Sequence, residues 1–157
     1  MIFIINKKMR NIKNEMKIEF LSKSANEAFA RISIAAFASQ LDPTIEEIAD
    51  IKTSVSEAVT NSIIHAYPNK DGIVKVKAVL YDDEIEIEVS DTGEGIENVE
   101  EAKAQLFTTK GNLERSGMGF TIMENFMDKL KVESILGLGT KVTMSKKIKN
   151  AKEENTY

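Results

Sequence analysis

A strand that ends on an acid and runs straight into a glycine turn constrains this chain more than any other stretch. From Glu84 to Val89 acidic and apolar residues alternate strictly, the period of two that gives a strand one buried face. Ser90-Asp91-Thr92-Gly93-Glu94-Gly95-Ile96 follows. Asp91 therefore stands at a strand end, ahead of a turn whose glycines let a flat ligand approach the main chain closely. A carboxylate beside such an opening can accept a hydrogen bond from an exocyclic amine of the kind adenine carries. Taken alone, the same stretch reads equally as an ordinary β-turn built from Asp and Gly.

The distribution of the remaining glycines narrows that choice. Of the eight in the chain, all but Gly72 lie between residues 93 and 139, as Gly93/Gly95, Gly117/Gly119 and Gly137/Gly139 with Gly111 between. Gly-x-Gly turns repeated between regular elements suggest several backbone segments converging on one ligand, most simply a nucleotide.

Upstream, Lys17 to Leu21 reads as a short strand, and Ser24-x-x-Glu27 has the form of a capping box opening a helix. Phe29, Ile32, Ala36 and Phe37 carry that helix to Leu41, where Asp42-Pro43 stops it. Thr44-x-x-Glu47 is a second capping box, and the helix it opens runs to about Ala66, ahead of Pro68. Ile48, Ile51, Val55, Val59 and Ile63 make its apolar stripe. At about 100° per residue, Glu57, Asn61 and His65 share a face roughly 120° from that stripe. Interspersed with Ala58, Thr60 and Ser62 rather than with Lys and Glu, this flank suits partial burial beside a pocket.

Past Asp71-Gly72, residues 73 to 81 alternate and turn at Asp82-Asp83 into the strand ending at Asp91, which makes a hairpin. Val99 to Leu106 reads as a short helix, and residues 107 to 116 as a polar loop. Met118, Ile122, Phe126 and Leu130 mark a further helix whose first turn is Gly117-Met118-Gly119. Its free N–H groups and positive dipole end suit a polyphosphate. Strands over about 131–135 and 140–147 close the pattern, joined by Leu136-Gly137-Leu138-Gly139. Helices alternating with hairpins predict a two-layer α/β sandwich, with the helices on one face of the sheet.

Composition removes several chemistries. The chain has no cysteine and one histidine, His65, which excludes disulfides, thiolate catalysis and a histidine metal cluster. A net charge of -4 argues against a nucleic-acid surface. The apolar start Met1-Ile2-Phe3-Ile4-Ile5 falls far short of a membrane span, so a cytoplasmic protein without a membrane partner is expected. Neither a P-loop nor a Rossmann fingerprint is present in the 157 residues. Residues 1–15 read as a loose leader, 16–148 as one domain and 149–157 as a frayed charged tail.

With these motifs in order, the chain resembles the GHKL ATPases. Glu57-x-x-x-Asn61 looks like the N box of that family, Asp91-Thr92-Gly93-Glu94-Gly95 like its first glycine box, Gly117-Met118-Gly119 like its second and Gly137-Leu138-Gly139-Thr140 like its last. More narrowly, Ser56 to Tyr67, Leu106 to Lys110 and Glu114 to Met127 resemble the serine kinases of the anti-sigma type, over about residues 12 to 148. The resemblance implies a Bergerat-type ATP-binding fold, with helices on one face of a mixed, mostly antiparallel sheet. It implies ATP/ADP and Mg²⁺ as ligands. In that scheme Asn61 would hold the metal, Asp91 would read the adenine amine and Thr140 would assist through water. Backbone groups of Gly93, Gly95, Gly117, Met118 and Gly119 would line the nucleotide. Thr108, Thr109 and Lys110 would form the lid over its phosphates.

Glu57 would act as base toward a serine hydroxyl, and Arg115 would meet the γ-phosphate or a partner protein. His65 has no required part in serine phosphorylation. The implied partners are a sporulation sigma factor, an anti-anti-sigma protein bearing the serine, and a second copy of the chain. Two other functions share the fold: a non-catalytic, nucleotide-dependent sigma-binding module, and the catalytic half of a histidine kinase. The first differs at Glu57, which it would not need, and the second expects a phospho-acceptor helical hairpin ahead of the domain.

Overall fold

The structure is a computed structural model that describes residues 10–104, 118–149 and 151. Five strands form one sheet in the order β1-β2-β3-β5-β4: β1 Asn14–Leu21, β2 Ile73–Leu80, β3 Glu84–Asp91, β4 Lys129–Ile135 and β5 Gly139–Lys147. Every neighbouring pair is antiparallel, so the described sheet is wholly antiparallel rather than mixed. β1 begins at Asn14, so the sheet takes in Asn14 and Glu15 of the stretch read as a leader.

The helices α1 (Ala25–Ala38), α2 (Ile45–Asn61), α3 (Val99–Ala104) and α4 (Gly119–Phe126) complete the described elements. α1 turns Ala30, Ile34 and Ala38 inward, and α2 turns Ile51, Val55 and Val59. They meet Val74, Val76, Ala78 and Leu80 of β2 and Ile85, Ile87 and Val89 of β3, the apolar halves of the two alternating runs. Removing an Ile or Val side chain from water in such a core contributes about 1.5–3 kcal/mol. The far face of the sheet is charged, with cross-strand pairs such as Lys77–Glu15 at 3.7 Å and Lys141–Glu88 at 3.8 Å. Glu84, at the end of that face, is buried under Arg10, whose guanidinium lies 2.8 Å from its carboxylate and 3.9 Å from the Tyr81 ring centroid.

The two capping boxes have different fates. At α2 the box forms: the Glu47 N–H donates to Thr44 Oγ1 (3.1 Å) and the Thr44 N–H donates to Glu47 Oε1 (2.9 Å). At α1 it does not. Ser24 is already helical (φ -56°, ψ -32°), which points its hydroxyl away from the first free N–H groups, and Glu27 instead accepts from Arg31 at 2.9 Å. The turn that follows β1, with Lys23 N–H donating to the Leu21 carbonyl (2.7 Å), imposes that entry.

Two further expectations are corrected. α2 is α-helical only to Asn61 and ends in a wider π-type turn, Ser62–Ala66. Leu130 does not belong to α4, which stops at Phe126; it lies in β4 and packs on the core from the sheet side.

Candidate functional site

The widened turn at the end of α2 opens onto a cavity of about 270 Å³. Asn61 lines it from the end of α2, Ser62 and His65 from that turn, Asp91 and Thr140 from the sheet, and Gly95 and Ile96 from the loop after β3. Ala58, Phe120 and Val142 supply apolar walls, a combination suited to a flat ring with a polar edge. Single π-type turns of this kind are rare and occur frequently at functional sites.

Asp91 is held by the strand register. It pairs with Thr140 on β5, and Thr140 pairs with Ser134 on β4, so the three side chains form a row across the sheet end. Asp91 Oδ1 accepts from the N–H of Gly93 (3.1 Å) and of Thr140 (3.3 Å), and Oδ2 accepts from the Ser62 hydroxyl (2.9 Å). A carboxylate has about four acceptor positions. Three are filled by the protein, which fixes the group and leaves Oδ2 able to accept one more donor from the cavity. Thr140 Oγ1 lies 2.7 Å from Ser134 Oγ, which also accepts from the Ile96 N–H at 2.7 Å and thereby sets the floor of the loop.

That loop depends on glycine at two points. Gly95 has φ +75°, a conformation other residues seldom adopt, and a side chain there would strike the Ile135 carbonyl. Gly139 (φ +131°) lies so close to the Asp91 carbonyl that no β-carbon fits between them. Gly93 packs against the end of the widened turn. It does not line the cavity but rests on the Ala66 carbonyl behind it, where the Glu94 N–H also donates at 3.0 Å. Tyr67 locks the same corner, its hydroxyl accepting from the Thr92 N–H and donating to the Ile73 carbonyl, each at 2.9 Å.

Glu57 and Asn61 converge under the start of α4. A β-carbon built on Gly119 would stand 3.2 Å from Glu57 Oε2 and 3.1 Å from Asn61 Nδ2, close enough to press on both side chains, so glycine suits the close approach of the helix start. Met118, half exposed, precedes it as the N-cap. His65 lines the cavity with part of its ring exposed, and burial of the rest lowers the pKa of its imidazole from the ordinary histidine value. Thr108, Thr109, Lys110, Arg115 and Gly117 lie outside the described residues.

Sequence reasoning did not single out Ser62, Ser134 and Tyr67 as part of this arrangement. On a regular helix Ser62 projects about 100° from Asn61, off the shared polar face and toward the apolar stripe; it keeps α geometry there, is buried against the sheet and so reaches Asp91. Ser134 would have followed from the β4–β5 register, which pairs Ile135 with Gly139 and hence Ser134 with Thr140.

Helices on one face of an antiparallel sheet, with a Glu-x-x-x-Asn helix, a strand-end Asp and glycine turns around one cavity, define a GHKL-type nucleotide-binding domain. Comparison with known proteins gives the same class, since the histidine kinase-like ATPase domain matches residues 20–146. The anti-sigma F factor of Clostridium acetobutylicum is 60% identical over 136 residues, spanning 87% of this chain and 95% of its own. That of Caldanaerobacter subterraneus subsp. tengcongensis is 64% identical over 135 residues, spanning 86% and 94%. The chain belongs to the anti-sigma F factors within the histidine kinase-like ATPase domain family, and is thus an ATP-using, nucleotide-binding domain. Among solved structures, a Mycobacterium tuberculosis protein with RsbU and RsbW domains superposes with a TM-score of 0.64 at 18% identity, over 92% of this chain and 34% of that one. At that identity the likeness concerns the fold alone.

Proposed function

We propose that this chain is an anti-sigma factor and protein-serine kinase: it sequesters a sporulation sigma factor and transfers the γ-phosphoryl group of ATP to a serine of an anti-anti-sigma protein. The observation that carries the kinase reading is the convergence of Glu57 and Asn61 beneath Gly119 at the cavity that Asp91 closes. A sequestering module needs the nucleotide held; only transfer needs a carboxylate beside the metal ligand.

In this reading Asp91 accepts from the adenine amine through its free Oδ2 position, and Thr140 assists through water. The apolar walls exclude solvent from the ring faces. The backbone of Gly95 borders the base, Gly93 supports it from behind, and Gly117, Met118 and Gly119 present N–H groups to the phosphates. Thr108, Thr109 and Lys110 cover them, and Arg115 meets the γ-phosphate or the partner. Among the described residues no group of three or more acidic or histidine side chains could cage a metal. That suits Mg²⁺, which keeps waters and takes one or two protein oxygens beside phosphate oxygens; the Asn61 amide oxygen is the ligand this chain offers. Bound there, the ion would neutralise charge on the transferring phosphoryl group. The Glu57 carboxylate accepts the proton of the serine hydroxyl as its oxygen bonds to γ-phosphorus and the bond to the ADP oxygen breaks.

The active form in this proposal is a homodimer in the cytoplasm, one dimer holding one sigma subunit. Among the described residues no helix is long and apolar enough to cross a membrane. β1 is a sheet edge, but Phe20 belongs to the core and Ile18 packs against it, so pairing would use the strand backbone and the exposed Phe29 and Ile32 of α1. The test of the function is incubation with labelled ATP and a candidate anti-anti-sigma protein. Label on a serine of that protein is expected; ATP binding without any label transfer would leave only the sequestering function.

A further inference from the structure

α4 frames the cavity through its first turn, yet a contact that the proposed chemistry does not use holds its last turn. Lys146 projects from β5 toward the helices, with its side chain only 12% exposed. Its ammonium donates to the Phe126 carbonyl at 2.6 Å and pairs with Asp50 Oδ2 at 3.2 Å. Phe126 ends α4, where carbonyls lack intrahelical donors and the dipole is negative, so a cation there satisfies both needs. Asp50 lies on α2, about 10 Å along a straight helix axis before Glu57 and about 16 Å before Asn61.

The chain after α4 is tied to β5 independently of this lysine. The Asp128 N–H donates to the Ser145 carbonyl (2.8 Å), and the Lys147 N–H donates to Asp128 Oδ2 (2.6 Å). What Lys146 adds, beyond the direct packing of α4 on α2, is a polar tie between them at the last turn of α4. With both helices fastened to one ammonium, the opposite end of α4 is kept where Gly119 meets Glu57 and Asn61. Phe120 and Met123 bury α4 in the core independently of this lysine, so the ammonium bears on the angle of the helix and not on its attachment.

We propose that Lys146 is a positioning residue that, through Asp50 and the Phe126 carbonyl, sets the approach of α4 to the Glu57–Asn61 pair and so the grip on the nucleotide phosphates. This rests on the nucleotide reading of the cavity. The test compares ATP and AMP binding by calorimetry, with thermal melting alongside, for wild type, Lys146→Met, Lys146→Arg and Asp50→Asn.

Coupling through a packed element of this kind is typically about 2- to 30-fold. Lys146→Met is expected to weaken ATP by that factor, to change AMP by less than about twofold, and to be restored by arginine, which keeps the charge and donors. Asp50→Asn should move the ATP-to-AMP ratio in the same direction, and it carries the test alone if Lys146→Met does not fold. Equal losses for ATP and AMP, an unchanged ratio in Asp50→Asn, or no recovery with arginine would overturn the proposal. Failure of the wild type to bind ATP at all would instead overturn the nucleotide reading beneath it.

Discussion

Replacing Asp91 by asparagine tests the centre of the site with almost no change of shape. The amide oxygen can still accept from the Gly93 and Thr140 N–H groups, which both address one oxygen of the native carboxylate. The amide nitrogen then takes the place of Oδ2. Ser62, which donates there at 2.9 Å, can rotate its hydroxyl and accept instead. We therefore predict that the variant folds, with a loss of about 1–2 kcal/mol as bonds to a charged acceptor become neutral ones. In the cavity the second amide hydrogen faces the position of the adenine amine, so a charge-assisted bond is lost and two donors oppose each other. A bond to a charged group contributes about 1.5–3 kcal/mol, so ATP affinity should fall about 10- to 150-fold. A guanine carbonyl would accept from that same hydrogen, so the preference for ATP over GTP should shrink further than ATP affinity alone predicts. Calorimetric titration with both nucleotides, beside a melting curve, reads each quantity. Unchanged ATP affinity in a folded variant would place adenine recognition elsewhere and refute the argument.

Other substitutions separate chemistry from binding and from stability. Glu57→Ala should keep nucleotide binding but slow single-turnover transfer to the partner serine by about 10²- to 10⁴-fold, whereas Asn61→Ala should lose Mg²⁺-dependent ATP binding; transfer at the wild-type rate in the first variant would return Glu57 to a structural role. Burial raises the pKa of Glu47, but hydrogen bonds from the Thr44 and Lys149 N–H groups, with the Lys146 charge nearby, outweigh it and hold the carboxyl below its ordinary value. Its contribution to stability is then complete above the unfolded value near 4.5 and is lost as pH falls through the lower folded value, so Glu47→Gln should destabilise at pH 7 and flatten the acid limb of a melting-versus-pH curve. Ser54 is fully buried on α2, and its hydroxyl oxygen has no hydrogen-bond partner among the described residues; Ser54→Ala removes a desolvated polar group at little volume cost and should stabilise by about 1 kcal/mol in denaturant titration.

The sequence discloses most where a signal is local and self-sufficient. Thr44 and Glu47 contain everything their cap requires, and β3 shows its buried face in six residues of alternation. Ser24 and Glu27 have the same spacing, but the preceding strand delivers the chain in a helical conformation that the pattern cannot reveal. Leu130 shows a different limit. A separation of four fits both a helix of 3.6 residues per turn and the two-residue repeat of a strand, so Phe126 and Leu130 satisfy one pattern from two elements. The cavity itself is half legible: Asn61, Asp91, Gly95 and Thr140 announce themselves through glycine and helix spacing, whereas Ser62 sits on the sheet-facing side of its helix like a core residue and Ser134 depends on strand register.

The position of β5 between β3 and β4 has a consequence for how the protein is made. Thr140 donates to Asp91 across 49 residues of chain, and β5 is the last strand of the sheet. During synthesis β1, β2 and β3 can pair with α1 and α2 while Asp91 still lies on an open edge, its carboxylate lacking the Thr140 donor. The β1–β2 pairing, from Leu21 with Ile73 to Asn14 with Leu80, closes a segment of similar length, so what sets β5 apart is its place at the end of the order of synthesis. The corner that joins Asp91 to Thr140 is therefore completed late: a chain that lacks residues 139–147 has neither β5 nor the Thr140 donor that holds the Asp91 carboxylate.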